Sequence, residues 1–270
     1  MMRILFFIYQ WLVFIPIFVV LTILTSVTTL IGTRLGNGDF WGYYPAHYWS
    51  KLTCWLAFCP VTVRGREHID PKQSYIFVAN HTGAYDIFLI YGFLDHNFKW
   101  ILRKGIRKIP LLGPACTAAG HIWIDERGSS GLMQTMRQAR QTLQGGMSVV
   151  VFPEGTRTAT GHLNRFKKGA YGLAGMVRLP VVPMTIEGPF EVLPKGSATL
   201  RPHRLVLTIH EPLPAITRQE GNEAGIDRLL HDSQRIIAES LGEPVQGSRK
   251  EAQSPEPQDA AAASAETREA

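Results

Sequence analysis

The stretch "YIFVANHTGAYD", residues 75–86, carries a histidine and an aspartate directly after an apolar run. In one continuous helix over 82–86 the two side chains would point about 140° apart and could not easily pair. Gly83 permits a turn, and a helix that begins near Ala84 puts Asp86 in its first turn, where a carboxylate is stabilised. Asp86 then accepts a hydrogen bond from one ring nitrogen of His81 and leaves the other free as a base. The alternative is a strand-end histidine bound to backbone.

A second polar cluster follows another apolar run, in "VVVFPEGTRT", residues 149–158. The loop brings Glu154, Gly155, Thr156 and Arg157 together. Arg157 is suited to grip a phosphate with two parallel hydrogen bonds, and Glu154 to orient Arg157 or a substrate hydroxyl. An ordinary surface loop is the alternative, weakened by the presence of two such clusters in one chain.

Between these clusters, four basic residues of "RKGIRK", residues 103–108, precede an apolar segment. This mixture suits a headgroup phosphate beside an acyl chain, and Lys104 is the candidate ligand of that phosphate. A solvated basic loop is the alternative interpretation.

The elements that must position these residues alternate between strands and helices, which is typical of an α/β domain with a mixed, largely parallel sheet flanked by helices. Sites in such sheets collect at the carboxyl ends of the strands. Helices are predicted over 130–144 and 225–241. The pattern predicts strands over 75–79, 98–102, 121–124, 148–152, 181–186 and 204–209.

Composition narrows the class of protein. The 270 residues carry a net charge of +6, and because the last 28 hold six acidic and three basic residues, the body carries +9. A basic body suits phosphate esters, anionic lipid headgroups or nucleic acid. Three cysteines without a CxxC pair predict neither a disulfide framework nor a zinc ribbon. The sequence also lacks a GxSxG elbow, a Walker A loop and an HExxH pair, which argues against serine hydrolases, P-loop enzymes and zincins.

The amino-terminal segment predicts membrane contact. Residues 4–33 contain no charged side chain, and as a straight helix they would be about 45 Å long, against about 30 Å of bilayer hydrocarbon. Pro16 predicts a kink or break. The segment is therefore either a tilted, kinked transmembrane helix or two shorter helices that enter one leaflet and return. Residues 40–58 add eight aromatic side chains, which favour the membrane interface.

Three regions follow from this reading: a membrane-inserting helical segment with its aromatic stretch over 1–60, an α/β domain over 61–242, and a disordered tail over 243–270. The tail is assigned from its lack of aromatic and large aliphatic residues after position 245. More basic residues follow the apolar segment than precede it, which predicts a cytoplasmic domain at a bacterial-type inner membrane or its equivalent.

Four motifs together resemble the glycerolipid acyltransferases. "NHTGAYD" is similar to their H-x4-D block and "FPEGTRT" to their FPEGTRS block, about seventy residues further on. "GHIWIDER" resembles G-x-x-F-I-D-R, with Trp123 for Phe and Glu126 inserted, and "LPVVPMTIEG" resembles a V-P-V block. The resemblance spans roughly residues 64–209 and is greatest to the 1-acyl-sn-glycerol-3-phosphate acyltransferases.

The resemblance implies a fold, an activity and roles. It favours the re-entrant helix pair over 4–33. His81 would be the general base that deprotonates the sn-2 hydroxyl of lysophosphatidic acid, and Asp86 would orient it. The hydroxyl would attack an acyl thioester directly, from acyl-CoA or acyl-carrier protein, with no metal and no bound cofactor. Acceptor phosphate would be bound by Lys104 and Arg157, in a pocket shaped by Glu154, Gly155 and Thr156.

The expected product is phosphatidic acid, and the expected partners are membrane phospholipid, lysophosphatidic acid and the thioester, not nucleic acid. Gly105-Ile106 replaces the acidic-aliphatic pair that often follows Lys104 in the family. Three alternatives remain: transfer to another lyso-lipid, a non-catalytic lipid-binding membrane protein, and a hydrolase with His81 and Asp86 as metal ligands.

Overall fold

The computed structural model describes residues 2–124, 128–144 and 146–244. The six predicted strands are present, each with one end that differs by one residue, and one further strand precedes them. They are β1 (Val61–Arg64), β2 (Ile76–Ala79), β3 (Phe98–Arg103), β4 (Ile122–Ile124), β5 (Ser148–Val151), β6 (Val181–Glu187) and β7 (Leu205–Ile209).

The strands form one sheet in the order β1-β7-β6-β2-β5-β3-β4. The five strands from β6 to β4 are parallel, β7 is antiparallel to β6, and β1 is parallel to β7. The predicted fold class, a mixed and largely parallel α/β sheet, is confirmed. β1 was not predicted, because this edge strand has only four residues and none of them is fully buried: three are half-buried and one is exposed.

The helices flank this sheet, and the two predicted in the α/β domain begin two or three residues earlier than expected. Two short 3₁₀ helices are added at Arg66–His68 and Lys104–Lys108. The α-helices are α1 (Met2–Tyr9), α2 (Ile15–Leu35), α3 (Gly38–Trp41), α4 (Tyr44–Leu56), α5 (Tyr85–Phe93), α6 (Leu112–Ala118), α7 (Gly128–Gln144), α8 (Gly169–Val177), α9 (Pro189–Val192) and α10 (Asn222–Leu241).

Side chains of the central strands point alternately into two apolar cores. On β2, Phe77 and Ala79 belong to the core beneath α4 and α5, whereas Ile76 and Val78 belong to the core beneath α7, α8 and α10. All four side chains are fully buried, as expected of a strand covered on both faces. The carboxyl ends of β2, β5 and β3 therefore lie between two layers of helices.

The amino-terminal segment differs from the expectation. Residues Ile4–Leu35 form one helix of 32 residues, long and apolar enough to cross a membrane by length and composition. A π-helical turn at Gln10–Phe14 precedes Pro16, which lies in the first turn of α2. A wider turn before a proline relieves the clash between its ring and the preceding carbonyl groups, so the helix continues without a break.

The re-entrant pair within 4–33 is therefore wrong, because the returning limb is α4. The Trp49 indole N–H donates to Thr22 Oγ1 (3.1 Å), and the Tyr9 hydroxyl donates to the Leu56 carbonyl (3.0 Å). These pairs run in opposite directions along the two limbs, so α1–α2 and α4 form an antiparallel helical hairpin. At the amino-terminal end, the Gln10 side chain bonds the Ala198 carbonyl and the Leu200 N–H of the α/β domain.

The outer surface of this hairpin is apolar. Most of the large apolar side chains that are exposed among the described residues precede position 59, including Leu12 (73% exposed) and Trp55 (74% exposed). Exposed Ile109 and Leu111 follow the basic 3₁₀ helix Lys104–Lys108. Apolar patches of this extent mark a membrane or protein interaction surface. The three predicted region boundaries stay predictions, and residues 245–270 of the tail predicted over 243–270 lie outside the described residues.

Gly42 joins the hairpin to the domain, and its substitution tests this packing. A Cβ at Gly42 would lie 2.6 Å from the Gly38 carbonyl oxygen and 3.2 Å from the backbone of Ala119, whereas at Gly38 it would meet no atom within 4 Å. We expect Gly42→Ala to lower the free energy of unfolding by about 1–3 kcal/mol, because backbone cannot move aside as a side chain does. Gly38→Ala is the matched control in thermal unfolding in detergent. Equal melting temperatures for the two variants would contradict this packing.

Candidate active site

The candidate site residues lie where β2, β5 and β3 end. These strands are parallel neighbours in the sheet, so the loops after them meet at one edge. The His81 N–H donates to Glu154 Oε1 (2.6 Å), which connects the first loop to the second. The Arg103 guanidinium donates to the Gly155 carbonyl, which connects the second loop to the residue before Lys104. The structure thus gathers the three predicted clusters at one edge.

Asp86 holds the first loop in shape. Its carboxylate is fully buried and accepts hydrogen bonds from His81 Nδ1 (2.6 Å), the Thr82 N–H (2.7 Å) and the Gly83 N–H (3.1 Å). It lies in the first turn of α5, where the helix dipole stabilises negative charge. The predicted turn at Gly83 and the predicted pairing of Asp86 with one ring nitrogen are both present.

This pairing fixes the tautomer of His81. Because Asp86 accepts at Nδ1, that nitrogen carries the hydrogen and Nε2 keeps a lone pair. Nε2 has no hydrogen-bond partner in the described part of the chain, and the side chain is 16% exposed. The imidazole stacks on the Phe152 ring at 3.9 Å between centroids, which holds its plane. The arrangement leaves one ring nitrogen accessible, as a general base requires.

Gly83 is required by a close approach of backbone. A Cβ at this position would lie 2.3 Å from the Pro189 carbonyl oxygen. Asn80, which the motif contains but which carried no predicted role, fixes the loop from the other side. Its side-chain amide exchanges two hydrogen bonds of 2.8 Å with the backbone of Ile186 on β6. Contacts of Asn80 with Ile186 and of Gly83 with Pro189 therefore fix the first loop from both sides.

Glu154 contacts backbone rather than Arg157. Its carboxylate is 3% exposed and accepts the N–H groups of His81 and Asn164 (3.1 Å). Burial raises its pKa to about 7, the two backbone hydrogen bonds act in the opposite direction, and the charge of Asp86 adds to the rise. These contacts make Glu154 a support for both loops.

The remaining predicted residues lie beside this support. Arg157 is half-buried, and its guanidinium forms no ion pair within the described residues. Gly155 has a φ of +74°, and Thr156 is exposed, with its hydroxyl bonded to the Arg157 carbonyl. Lys104 begins the 3₁₀ helix after β3. Asp125–Arg127 of the third motif lie outside the described residues.

Sequence reasoning missed two aromatic residues of the site. Phe152 was assigned to a strand, although its ring stacks on His81, and Trp100 stacks on Phe152 in turn, at 5.6 Å between centroids. An aromatic residue directly before the Pro-Glu-Gly turn was the available signal for Phe152. No sequence signal pointed to Trp100. Among the described residues, no group of three or more His, Cys, Asp or Glu side chains is placed to hold a metal ion.

Comparison with known proteins decides the family. The acyltransferase family model matches residues 60–187. A 1-acyl-sn-glycerol-3-phosphate acyltransferase of Limnanthes alba is 32% identical over 203 residues, which cover 74% of this chain and 69% of that protein. The chain belongs to the acyltransferase family. Another such acyltransferase, from Chlamydomonas reinhardtii, is 28% identical over 253 residues, covering 92% of this chain and 72% of that protein.

A solved acyltransferase has the same fold. The crystal structure of the 1-acyl-sn-glycerophosphate acyltransferase PlsC from Thermotoga maritima superposes with a TM-score of 0.71 at 26% identity, and the match covers 90% of this chain and 97% of that one. The predicted resemblance to this acyltransferase family is confirmed. The matched range 60–187 contains both polar loops and excludes the helical hairpin.

The buried Glu154 carboxylate predicts a pH dependence of stability. The folded state, with a pKa of about 7, keeps a proton that the unfolded chain has already lost above about pH 4.5. The contribution of Glu154 is therefore fully present below about pH 4.5 and is lost as the pH rises to about 7. We expect the free energy of unfolding of the wild type, relative to Glu154→Gln, to fall by up to about 3 kcal/mol across that window.

Thermal unfolding from pH 5 to 8 measures this difference. Exposed Glu187 supplies the control, since Glu187→Gln should keep the wild-type pH profile. A Glu154→Gln profile parallel to that of the wild type would show that Glu154 titrates at the same pH in the folded and unfolded chains.

Proposed function

We propose that this acyltransferase moves an acyl chain from a thioester to the sn-2 hydroxyl of lysophosphatidic acid and forms phosphatidic acid. The observation that carries the proposal is the His81–Asp86 pair, with Nδ1 fixed by a buried carboxylate and Nε2 without a hydrogen-bond partner among the described residues. The activity is the one in the names of the relatives from Limnanthes alba and Thermotoga maritima. The enzyme is accordingly a 1-acylglycerol-3-phosphate O-acyltransferase.

Transfer proceeds in one direct displacement at the thioester carbonyl. His81 Nε2 takes the proton as the acceptor oxygen attacks, and Asp86 stabilises the imidazolium that forms. Collapse of the intermediate expels the thiolate, which recovers the proton from His81. Burial raises the pKa values of the thiols of Cys54, Cys59 and Cys116, which supports direct attack rather than a cysteine acyl-enzyme.

The acceptor phosphate binds to Arg157 and Lys104. Arg157 leaves its guanidinium without an ion-pair partner in the described chain, and its neighbour Thr158 donates its N–H to the His81 carbonyl (2.9 Å). This bond keeps Arg157 close to the base. Lys104 follows Arg103, which is bonded to the same loop. Gly155 and Thr156 shape the phosphate pocket, and Glu154 holds it in place.

An acyl chain occupies an apolar cavity of about 150 Å³ between the hairpin and the sheet. Its walls come from α2, α4, α5, β3 and α6, and include Trp49, Ile87, Leu102 and Trp100. Trp100 is two stacking contacts from His81, through Phe152. A chain in this cavity therefore ends near the base. No metal and no bound cofactor are needed, because a neutral imidazole and a thioester suffice for the displacement.

In this proposal the enzyme binds one leaflet of the membrane through the hairpin. Gln10 and α6 hold opposite ends of the long helix against the domain, and a helix packed along its length in this way does not cross the bilayer upright. The exposed apolar side chains of α1, α2 and α4 enter the lipid, and the domain faces the cytoplasm at a bacterial-type inner membrane or its equivalent. The donor, acyl-CoA or acyl-carrier protein, arrives from the water, and the lyso-lipid from the leaflet.

His81 is tested by thiol release from acyl-CoA and acyl-carrier protein in lipid or detergent. With lysophosphatidate as acceptor, we expect release that falls by at least about 10²-fold in His81→Ala, since general base catalysis contributes 10²–10⁴-fold. Exposed His231 on α10 provides the control variant His231→Ala. An active His81→Ala enzyme would refute the role of His81. Release with lysophosphatidylcholine alone would move the proposal to another lyso-lipid.

Arg157 is tested through the KM for the acceptor. We expect Arg157→Gln to raise the KM for lysophosphatidate by about 10- to 100-fold, because a charge-assisted hydrogen bond contributes roughly 1.5–3 kcal/mol. The KM for the thioester should stay within about 2-fold, since the donor does not contact this guanidinium in the proposed complex. Arg140→Gln, an exposed position on α7, is the control. A higher KM for the donor alone would assign Arg157 to the thioester instead.

A further inference from the structure

The Trp100 indole N–H is a buried donor without an acceptor. Trp100 is 4% exposed, and its Nε1 has no hydrogen-bond partner among the described residues. Leaving a buried N–H unpaired is unfavourable, and such groups are uncommon in folded proteins. Phe at this position would retain an aromatic ring without that cost. The unpaired donor therefore points to a partner that arrives with the substrate.

The position of Trp100 links the cavity to the base. Trp100 forms part of the cavity wall, and its ring stacks on Phe152, which stacks on His81. Three other polar side chains of the same wall have partners within the protein. The Tyr91 hydroxyl donates to the Gly42 carbonyl, His121 Nδ1 accepts the Trp100 backbone N–H, and the Trp49 indole donates to Thr22.

Acyl transfer requires a hydrogen-bond donor for the carbonyl oxygen of the thioester. Attack on the thioester puts negative charge on the carbonyl oxygen, and enzymes of this chemistry provide hydrogen-bond donors for it. Four backbone N–H groups of the two polar loops already have acceptors within the protein. Asp86 accepts those of Thr82 and Gly83, Glu154 accepts that of His81, and the Phe152 carbonyl accepts that of Gly155.

We propose that the Trp100 indole N–H donates a hydrogen bond to the thioester carbonyl oxygen and stabilises the oxyanion that forms there. This inference rests on the proposed acyl transfer. The acceptor oxygen bonds to the carbonyl carbon while its proton moves to His81 Nε2, and the carbonyl π electrons move to the oxygen held by Trp100. When the double bond reforms, the C–S bond breaks and the thiolate takes the proton from His81.

The ring stack puts Trp100 beside Phe152 and Phe152 beside His81, at 5.6 and 3.9 Å between ring centroids. The acyl tail then extends from the carbonyl into the cavity that Trp100 lines. One side chain thus contacts both the reacting oxygen and the start of the chain.

Trp100→Phe is the first variant, because it removes the N–H and keeps a ring. We expect kcat for transfer to lysophosphatidate to fall by about 10²-fold or more, as for loss of one oxyanion donor. The KM for lysophosphatidate should stay within about 2-fold. The melting temperature should fall only by the cost of the smaller ring, because the lost N–H has no partner in the free enzyme.

A matched control is Trp123→Phe. The Trp123 indole is also buried, but it donates to Thr117 Oγ1 (3.2 Å). Its loss should lower the melting temperature and leave kcat within about 2-fold of the wild type. The two tryptophans thus predict opposite patterns of stability and rate.

Replacement of Trp100 by 3-benzothienylalanine separates the N–H from packing, since sulfur replaces the N–H in a ring of similar shape. We expect the same loss of kcat as in Trp100→Phe. Wild-type kcat in this isostere, or in Trp100→Phe, would overturn the proposal and make Trp100 a packing residue. A wild-type enzyme that transfers no acyl chain to any lyso-lipid would refute the proposed function itself, before Trp100 is tested.

Discussion

The geometry of the site depends on burying the charge of Asp86. A carboxylate that is fully removed from water is stable only where hydrogen-bond donors and dipoles replace its hydration. Here the donors are two consecutive backbone N–H groups, Nδ1 of His81 and the amino-terminal end of α5. Those donors can converge only if the chain turns sharply after His81, and the turn brings Gly83 against the Pro189 carbonyl, where no side chain fits. The need to stabilise the buried Asp86 carboxylate therefore determines the shape of the loop after β2, the start of α5 and the tautomer of His81.

A second buried carboxylate extends this constraint to the neighbouring strand. Glu154 accepts N–H groups from the first loop and from Asn164, so the loops after β2 and β5 are joined through one side chain. Burial raises the pKa of this carboxyl group to about 7, and the nearby charge of Asp86 adds to the rise, whereas the hydrogen bonds that it accepts act in the opposite direction. Parallel pairing of β2 with β5 is what makes the joint possible, since only then do both strands end at the same edge. A second bond joins the same loops, because Thr158, the residue after Arg157, donates its N–H to the His81 carbonyl.

Short-range sequence patterns predicted most strands of the sheet and the pairing of His81 with Asp86 in the site. Buried strands such as β2 and β6 could be predicted because they are short apolar runs bounded by turn residues. The pairing of His81 with Asp86 was predicted from helix geometry and from the turn that Gly83 permits. The hairpin could not be predicted from the sequence. Its two helices, α2 and α4, are paired through contacts such as that of Trp49 with Thr22, and the hydrophobic periodicity of neither segment indicates these contacts. The same holds for the contact of Glu154 with His81 and for the unpaired N–H of Trp100. Both depend on which strands become neighbours.

The sheet separates two environments that the proposed reaction must combine. One face carries the hairpin, with its apolar outer surface and inner cavity, and the other carries α7, α8 and α10. A lyso-lipid keeps its chain in the leaflet, whereas the thioester carrier is soluble, so their reacting groups meet only at a boundary between the two. In the proposed reaction the carboxyl edge of β2 and β5 would lie at that boundary, and His81 at this edge is held by groups of the α/β domain. Because these hydrogen bonds lie within the domain, the geometry of His81 would not depend on a lipid around the hairpin, and the proposed membrane contact would supply the substrate without having to assemble the site.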